Sequence, residues 1–352
     1  MPKPAWYDSP FMKAARREPV ERVPIWLMRQ AGRYMPEYRA LREKYSFLEL
    51  CRNSHVAAEI AIKTVARFGF DAAILFADLL PILEPMGFEL RFGTGDGPII
   101  RNCIDEPQDV DQVQELGEKQ LDSLSFVFDA IRLTRKGLPN DIPLIGFAGA
   151  PFTLAAYAIE GGTSRSFEKT KQFFLRDAGA WHELMGRIAR SVARYVKAQL
   201  AAGVQAIQIF DSWAGCLAPS HYRSFVLPYT EMVFKVIPEG VPAIHFLTGN
   251  PALLPLQARA GGTVMGIDWR IDIKEAWTTI GDGYGIQGNL DPAVLCGPQE
   301  LVISETQTIL QQTRGRPGHI FNLGHGVLPS TPVENVMLLV QTVHEWDPKQ
   351  LV

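Results

Sequence analysis

A short arginine-rich segment is the part of the sequence best suited to chemistry. Residues 29–44 carry four arginines and one lysine against two glutamates, a local excess of +3, and the segment follows an apolar run directly. Guanidinium groups keep their charge at any working pH and bind carboxylates through paired hydrogen bonds. Arg29 and Arg33 stand nearest the apolar run, and Gly32 lets a ligand approach the backbone. The segment therefore predicts an anion pocket. For Arg39 and Lys44 we favour a position on a solvated helix face over a role in binding a ligand.

Two further titratable residues stand in unusual surroundings. Asp78 lies among apolar residues, so it is either a desolvated functional carboxylate or the N-cap of a helix. Burial would raise its pKa, whereas nearby arginines would lower it. His325 stands between Gly324 and Gly326, which predicts an approachable imidazole in a loop.

The elements that must position these residues form a repeating pattern. Apolar runs of strand length alternate with longer helical patterns, as expected for a parallel sheet. Eight runs are enough to close a (β/α)8 barrel. An open doubly wound sheet is the alternative, but the first run leads into no glycine-rich GxGxxG turn. We therefore predict an α/β fold, a single TIM barrel domain spanning residues 1–352. The eight runs are residues 23–28, 72–76, 143–147, 204–209, 242–246, 264–267, 284–287 and 319–323.

Between the strands, the sequence predicts long helices and one turn. Residues 93–97 are glycine-rich and indicate a turn between two short extended pieces. The segments with helical periodicity are residues 53–68, 121–136, 165–201, 220–237, 298–313 and 332–345.

Polar residues follow nearly every predicted strand. In a barrel, the carboxyl ends of the strands form the mouth where chemistry takes place. Any single polar residue there is equally well explained as a helix cap, but the set as a whole indicates a site. Besides Arg29, Gln30, Arg33 and Asp78, the set comprises Tyr157, Asp211, Ser212, His245, Asp268, Asn289, Asp291, Asn322 and His325.

Composition and charge exclude several classes of protein. The chain has 352 residues, 47% hydrophobic and 21% charged, which is ordinary for a globular protein. A formal net charge of −3 argues against nucleic-acid binding, which needs a basic surface. No apolar run reaches transmembrane length and the N-terminus lacks the apolar core of a signal peptide, so we expect no membrane segment.

The cysteines and histidines give little support to a metal or redox site. The four cysteines (Cys51, Cys103, Cys216 and Cys296) form no CxxC pair and indicate reduced thiols in the cytoplasm. His245 and Cys216 lack further ligands at a suitable spacing, so we expect no metal. The sequence also has no phosphate-binding GxxxxGK[ST] loop, HExxH or GxSxG motif.

Five motifs in order resemble the uroporphyrinogen decarboxylase family over essentially the whole chain. The resemblance is carried most specifically by residues 24–38, PIWLMRQAGRYMPEY. The other four motifs are Phe76-Ala77-Asp78, residues 146–154 with Tyr157 and residues 160–162, Phe210-Asp211-Ser212-Trp213-Ala214-Gly215, and Asn322-Leu323-Gly324-His325-Gly326-Val327.

The resemblance implies a barrel enzyme that pairs as a homodimer. It implies conversion of the four acetate side chains of uroporphyrinogen III to methyl groups, giving coproporphyrinogen III and CO2 in haem biosynthesis, with no metal or organic cofactor. Asp78 would accept hydrogen bonds from the pyrrole N–H groups. Arg29 is the family's candidate acid, but a guanidinium is a very poor acid, so we expect it mainly to bind the reacting acetate. The implied substrate-binding residues are Arg29, Gln30, Ala31, Gly32, Arg33, Arg42, Asp78, Tyr157, Ser212 and His325.

Two other functions remain open from the sequence. Related barrels include zinc- and corrinoid-dependent methyltransferases, which need cysteine and histidine ligands near the later strands. The other is a non-catalytic tetrapyrrole-binding protein that uses the arginines only to hold its ligand.

Overall fold

A curled parallel sheet, surrounded by helices, forms the centre of the protein. The structure is a computed structural model that describes residues 3–93 and 97–347. The strands are β1 (Ala73–Ile74), β2 (Leu90–Phe92), β3 (Pro98–Ile100), β4 (Leu144–Gly149), β5 (Ala206–Asp211), β6 (Ala243–Leu247), β7 (Val264–Gly266), β8 (Gly285–Leu290) and β9 (His319–Leu323).

The α-helices lie between the strands, with several short 3-10 turns. They are α1 (Pro10–Ala15), α2 (Pro36–Lys44), α3 (Phe47–Arg52), α4 (Ser54–Phe68), α5 (Glu118–Asp122), α6 (Ser125–Gly137), α7 (Pro151–Glu160), α8 (Glu168–Arg176), α9 (Ala178–Ala202), α10 (Pro219–Phe225), α11 (Leu227–Phe234), α12 (Leu254–Ala260), α13 (Ile273–Ile280), α14 (Gln299–Thr313) and α15 (Val333–His344).

Seven of the strands form the parallel sheet, in the order β1-β4-β5-β6-β7-β8-β9. Strands consecutive in this order are neighbours, as expected when a helix connects each parallel pair. β4, β6 and β9 are buried along their whole length, which explains their near-continuous apolar sequence. The predicted α/β class and seven of the predicted strand positions are therefore confirmed.

β2 and β3 form a separate antiparallel hairpin. Leu90 pairs with Ile100 and Phe92 with Pro98, so the residues predicted as a turn, 93–97, stand between two paired strands in the sequence. Residues 94–96 of that turn lie outside the described residues.

Two long predicted helices are each divided in two. The pattern over residues 165–201 separates into α8 and α9 because Asp177 is extended and its side chain accepts a hydrogen bond from Ala180 N at 2.9 Å, which starts a new helix. The pattern over residues 220–237 separates into α10 and α11 at Val226, two residues before Pro228. Helical periodicity alone does not reveal such interruptions.

The first predicted strand, residues 23–28, is not a strand of the sheet. Its one ladder contact is an isolated parallel bridge between Ile25 and Phe321 of β9. Two amides that would be free to pair with β1 are taken by side chains, since Ile25 N donates to Asp71 Oδ2 at 2.8 Å and Leu27 N donates to Gln30 Oε1 at 3.1 Å. Pro24 has no N–H to donate. Within residues 3–93 and 97–347 the sheet thus has seven parallel strands, and the predicted eighth is not confirmed.

Apolar side chains from the strands meet those of α1. Trp26, Ile145 and Ile244 form one buried cluster with Phe11 and Met12 of α1. These α1 residues are at most 2% exposed, so the first helix covers the amino ends of the strands. Residues 3–93 and 97–347 contain no helix long and apolar enough to cross a membrane.

Candidate active site

The loop after residues 23–28 gives Arg29 an unusual backbone conformation. Arg29 has a φ of 59°, in the left-handed region that non-glycine residues seldom adopt. Both backbone groups of the preceding residue are held, because Met28 N donates to Asn322 Oδ1 at 3.1 Å and Val327 N donates to Met28 O at 2.9 Å. These bonds compensate the strain and fix the direction in which the Arg29 side chain leaves the backbone.

Gln30 supports this loop from inside. It is 1% exposed, and its amide accepts from Leu27 N and donates to Ala72 O at 3.3 Å. Tyr34 donates its hydroxyl hydrogen to Gln30 O at 2.6 Å. The side chain of Gln30 is therefore engaged within the protein, while Ala31 and Gly32 remain partly exposed beside it. Both the Gln30 and Ala31 assignments to a ligand stay predictions.

The side chain of Arg29 lies directly over Gly326. A Cβ built on Gly326 would come within 2.4 Å of Arg29 Cδ and 2.7 Å of Arg29 Cγ. The absence of a side chain at Gly326 is what allows the Arg29 stem to rest on the loop that carries His325. The two sequence motifs, far apart along the chain, thus meet at one place.

His325 is a partly buried, neutral hydrogen-bond donor. Burial, helped by the positive charge of Arg29, lowers its pKa to about 4. Its Nδ1 accepts a hydrogen bond from Gly326 N at 2.8 Å, which places the ring proton on Nε2. The imidazole therefore offers one N–H to a ligand at neutral pH and no positive charge.

Asp78 is the carboxylate at the centre of this group. Its Oδ1 accepts a hydrogen bond from Leu80 N at 3.0 Å. Burial raises the pKa of Asp78, against the opposing effects of that amide and of the Arg29 charge. Asp78 thus holds a turn and is not the N-cap of a helix, because the next helical turn, Pro81–Leu83, begins after Leu80. It is also a desolvated group within range of the Arg29 charge, and a functional role for it stays a prediction.

An aromatic wall lies beside Asp78. Tyr157, on α7, stacks edge-on against Trp213 with 5.8 Å between ring centroids, and Phe167 lies 5.2 Å from the same indole. Burial and the neighbouring Asp78 raise the pKa of Tyr157 to about 12, so its hydroxyl stays protonated and can donate. Ser212 is partly exposed, and its backbone oxygen accepts from Thr248 Oγ1 at 3.0 Å.

Arg33 and Arg42 are exposed, as Arg29 is. Arg42 donates to Tyr45 O at 2.9 Å from the end of α2. Among the residues that the structure describes, neither of them nor Arg29 forms an ion pair with a carboxylate. Both Arg33 and Arg42 lie within electrostatic range of Tyr38. Three guanidiniums on one side of the molecule are thus available to an anionic ligand.

Several other polar residues at strand ends serve the scaffold. Asp211 is fully buried and accepts from Thr153 Oγ1 and Tyr222 Oη, each at 3.4 Å. His245, also fully buried, has Nδ1 3.1 Å from Gln257 O and Nε2 3.8 Å from Asp211 Oδ2. The others with such roles are Asp268, Asn289, Asp291 and Asn322.

No metal centre can be assembled from residues 3–93 and 97–347, where no group of three or more His, Cys, Asp or Glu side chains is placed to hold an ion. The two residues considered for zinc are accounted for otherwise. His245 is engaged with Gln257 and Asp211, and Cys216 is a free thiol whose pKa burial raises to about 11.

Sequence reasoning missed two contributors to the site. The packing role of Gly326 depends on a contact with Arg29 across 297 positions, which no local pattern contains. Trp269 and Arg270 lie beside the His325 loop, one and two residues past the predicted Asp268. The available sequence signal was their position directly after Asp268.

These features define a class of protein: a curled parallel α/β sheet with arginines around one partly buried carboxylate at the carboxyl ends of its strands. Residues 7–346 match the family model described as uroporphyrinogen decarboxylase (URO-D). The chain belongs to the uroporphyrinogen decarboxylase family.

Curated relatives support the assignment along the whole chain. A uroporphyrinogen decarboxylase of Carboxydothermus hydrogenoformans is 49% identical over 339 residues, covering 96% of this chain and 96% of that protein. One of Chloroflexus aggregans is 49% identical over 341 residues, covering 96% and 95%. The resemblance seen in the sequence motifs is therefore confirmed.

Solved structures share the fold at low sequence identity. A methyltransferase from Methanosarcina mazei superimposes with a TM-score of 0.80 at 21% identity, covering 96% of this chain and 97% of that one. A putative vitamin-B12 independent methionine synthase from Listeria monocytogenes gives a TM-score of 0.60 at 11% identity, covering 93% and 97%. At these identities the likeness establishes the fold and no chemistry.

Proposed function

We propose that this protein removes the carboxyl groups of the four acetate side chains of uroporphyrinogen III, giving coproporphyrinogen III and four CO2. Family membership along the chain supports the reaction. The observation on this chain that supports the reaction is the position of Asp78. It is a desolvated carboxylate that lies within electrostatic range of Arg29 and beside Tyr157. That group matches a substrate with acidic arms and a ring of pyrrole N–H donors.

Substrate binding follows from the charge at the mouth. Uroporphyrinogen carries eight carboxylates, and Arg29, Arg33 and Arg42 have no carboxylate partner among the described residues. Bidentate pairing of these guanidiniums with acetate or propionate arms supplies affinity and orientation. Tyr157, Ser212 and His325 add neutral donors, which bind a carboxylate without the pH sensitivity of a titrating cation.

Asp78 performs the electrostatic part of the reaction. Protonation of the pyrrole ring carbon next to an acetate gives a cation delocalised onto the ring nitrogen. The C–C bond to the carboxylate then breaks, its electron pair returns to the ring, and CO2 leaves. A second proton on the exocyclic carbon completes the methyl group as the ring proton is lost. Ionised Asp78, facing the N–H groups in a desolvated site, stabilises the intermediate cation.

Arg29 binds the reacting acetate. Its fixed backbone and its stem against Gly326 hold the guanidinium close to Asp78 with little freedom to lose. A guanidinium is too weak an acid to protonate a pyrrole carbon. We therefore assign the first proton to solvent or to the substrate's own carboxyl groups.

We further propose that residues 23–28 close the seven-stranded sheet into an eight-stranded barrel of one domain. Phe321 N donates to Pro24 O at 2.8 Å on the β9 side, and Asp71 N donates to Ile25 O at 2.9 Å next to β1. Inside, Trp26 Nε1 donates to Gln287 Oε1 and Gln287 Nε2 to Gln208 Oε1, each at 3.0 Å. The side-chain bonds support closure of the sheet into a barrel at the place where the pairing between backbones is interrupted.

A cytoplasmic homodimer is the state that we propose for the enzyme. Trp269 and Tyr45 are large exposed side chains, 37% and 42% accessible, next to His325 and at the end of α2 respectively. Pairing of two mouths would cover such side chains. The four free cysteines are consistent with a reducing compartment. Sedimentation of the purified protein at several concentrations tests the dimer.

One assay tests the function directly. The purified protein is incubated anaerobically with uroporphyrinogen III, and the products are oxidised and separated by carboxylate number. We expect hepta-, hexa- and pentacarboxylate intermediates and then the tetracarboxylate, with full activity after exhaustive dialysis against a chelator. Tight binding without any loss of carboxylates would instead indicate a tetrapyrrole-binding protein. Activity that requires added zinc would contradict the proposed mechanism.

A further inference from the structure

A tryptophan–arginine pair lies on the loop between β7 and α13. The guanidinium of Arg270 is 4.5 Å from the centroid of the Trp269 ring and forms an ion pair with Asp268. Asp268 is 4% exposed, whereas the Arg270 side chain is 45% exposed. Stacking and the ion pair fix the plane of the guanidinium while its outer edge remains accessible.

This pair is in contact with the loop that carries His325. A Cβ on Gly324 would lie 2.7 Å from Trp269 Cε3 and 2.8 Å from Trp269 N, so the two loops touch through their backbones. Arg270 is also close enough to His325 to act on its charge, as Arg29 is. The mouth therefore has a second guanidinium near His325, on a different loop from the arginine segment.

The hydrogen-bonding capacity of Arg270 is only partly used. Asp268 is already served by backbone donors, since its Oδ2 accepts from Gly249 N at 2.7 Å and its Oδ1 accepts from Arg270 N at 3.0 Å. A guanidinium has five N–H donors, and the one side-chain bond of Arg270 among the described residues goes to Asp268. The remaining donors are available to an anion in the mouth.

We propose that Arg270 binds a propionate carboxylate of the tetrapyrrole, one that the reaction leaves in place. This assignment rests on the proposed function. The reacting acetate must reach Asp78 and Arg29, so a guanidinium on a separate loop is suited to a different arm of the ring. Because substrate and product both keep their propionates, Arg270 contributes equally to the binding of each and does not affect the chemical step.

The chain contains a matched control. Arg316 also stacks on a tryptophan, with its guanidinium 4.1 Å from the Trp277 centroid, and also pairs with an aspartate, Asp282. It precedes β9, and Asp282 precedes β8, so this second pair stands at the amino ends of the strands, away from the mouth. Arg316→Gln removes the same interactions without touching the site.

The experiment compares Arg270→Gln, Arg270→Lys and Arg316→Gln with the unchanged protein. For Arg270→Gln we expect the KM for uroporphyrinogen and the inhibition constant of coproporphyrinogen to rise together, about three- to tenfold, with kcat within about twofold. Arg270→Lys, which keeps the charge, should give a smaller rise. Arg316→Gln should change neither constant.

Two results would overturn the proposal. One is an unchanged KM and inhibition constant in Arg270→Gln, and the other is a fall in kcat alone, which would mean that Arg270 acts on the chemical step. If Arg270→Gln does not fold, Arg270→Lys takes its place in the comparison. An inhibition constant of coproporphyrinogen that is equal in Arg270→Lys and in the unchanged protein would then overturn the proposal. Absence of turnover in the unchanged protein would count against the proposed function, and product binding would still decide the role of Arg270.

Discussion

The stem of Arg29 rests on Gly326, with Arg29 Cδ only 2.4 Å from the position that a Cβ on Gly326 would occupy. Two loops from opposite ends of the chain therefore depend on each other. The left-handed backbone of Arg29 aims the side chain, and the missing side chain of Gly326 leaves room for it.

Gly326→Ala is therefore expected to displace the Arg29 guanidinium. Misplacement of a binding group by about 1 Å can cost roughly a hundredfold in rate, so we expect kcat/KM to fall about ten- to a hundredfold. Gly283→Ala is the control, because a Cβ at Gly283 meets no atom within 4 Å. Steady-state kinetics of both variants measure the effect, and equal activities would show that Arg29 is not positioned by this contact.

Asp78→Asn tests the electrostatic role of the central carboxylate. The substitution keeps the shape but removes the charge that stabilises the cation, so kcat should fall by about a hundredfold or more while KM changes little. Single-turnover measurements separate the chemical step from binding. A kcat near that of the unchanged protein would refute cation stabilisation by Asp78.

The pH dependence of the reaction should reflect Asp78 and not His325. Burial raises the pKa of Asp78, and the ionised form is the active one, so activity should be lost as pH falls through a value above the usual range for aspartate. The pKa of His325 is lowered to about 4, so its imidazole stays neutral at pH values above about 4. A step near pH 6.5 that disappears in His325→Gln would contradict this assignment.

Arg33→Ala should weaken binding more than it slows the reaction. An exposed guanidinium that pairs with a carboxylate contributes to ground-state and transition-state binding alike, so we expect KM to rise about tenfold with kcat nearly unchanged. The rise should shrink at high ionic strength, since screening weakens the pair. Lys44→Ala, on the solvated end of α2, serves as the control and should leave KM unaltered.

His319 should make the stability of the protein depend on pH. Burial lowers its pKa to about 4, its Nε2 lies 3.1 Å from Gly288 O, and its buried Nδ1 has no partner among the described atoms. Between pH 6.5 and 4 the unfolded chain gains a proton that the folded chain rejects. The contribution of His319 is therefore complete above pH 6.5 and falls by about 3 kcal/mol towards pH 4.

Urea unfolding at pH 7 and pH 4.5 measures this effect. In His319→Gln the loss of unfolding free energy on acidification should be smaller than in the unchanged protein. His55→Gln, at an exposed histidine, should leave the loss as it was. An identical pH dependence in all three proteins would mean that His319 is protonated in the folded state.

Much of the fold could be predicted because buried parallel strands are recognisable in the sequence as short apolar runs. β9 occupies the predicted residues 319–323, and the other predicted strand positions agree to within a few residues. Residues 23–28 have the same apolar character but are not a strand of the sheet. The amides of Ile25 and Leu27 donate to the side chains of Asp71 and Gln30, and the bond to Asp71, 46 positions away, leaves no local pattern in the sequence.

The charges of the candidate site could be predicted from the sequence, whereas its contacts could not. Position after a buried run selects Arg29 and Asp78 as candidates, and their roles stay predictions. It could not separate residues that face the mouth from those that hold the scaffold, because both kinds follow strands. Asp211 and His245 are buried against other protein groups, and only tertiary geometry distinguishes them from Ser212.

The position of the first helix bears on how CO2 leaves the protein. Phe11 and Met12 of α1 are buried against the amino ends of the strands. In the reaction proposed here, each porphyrinogen releases four molecules of CO2. With that end covered by apolar side chains, we expect CO2 to leave at the carboxyl ends of the strands, where the macrocycle is proposed to bind. Release of CO2 and exchange of the tetrapyrrole would then take place at the same end of the sheet.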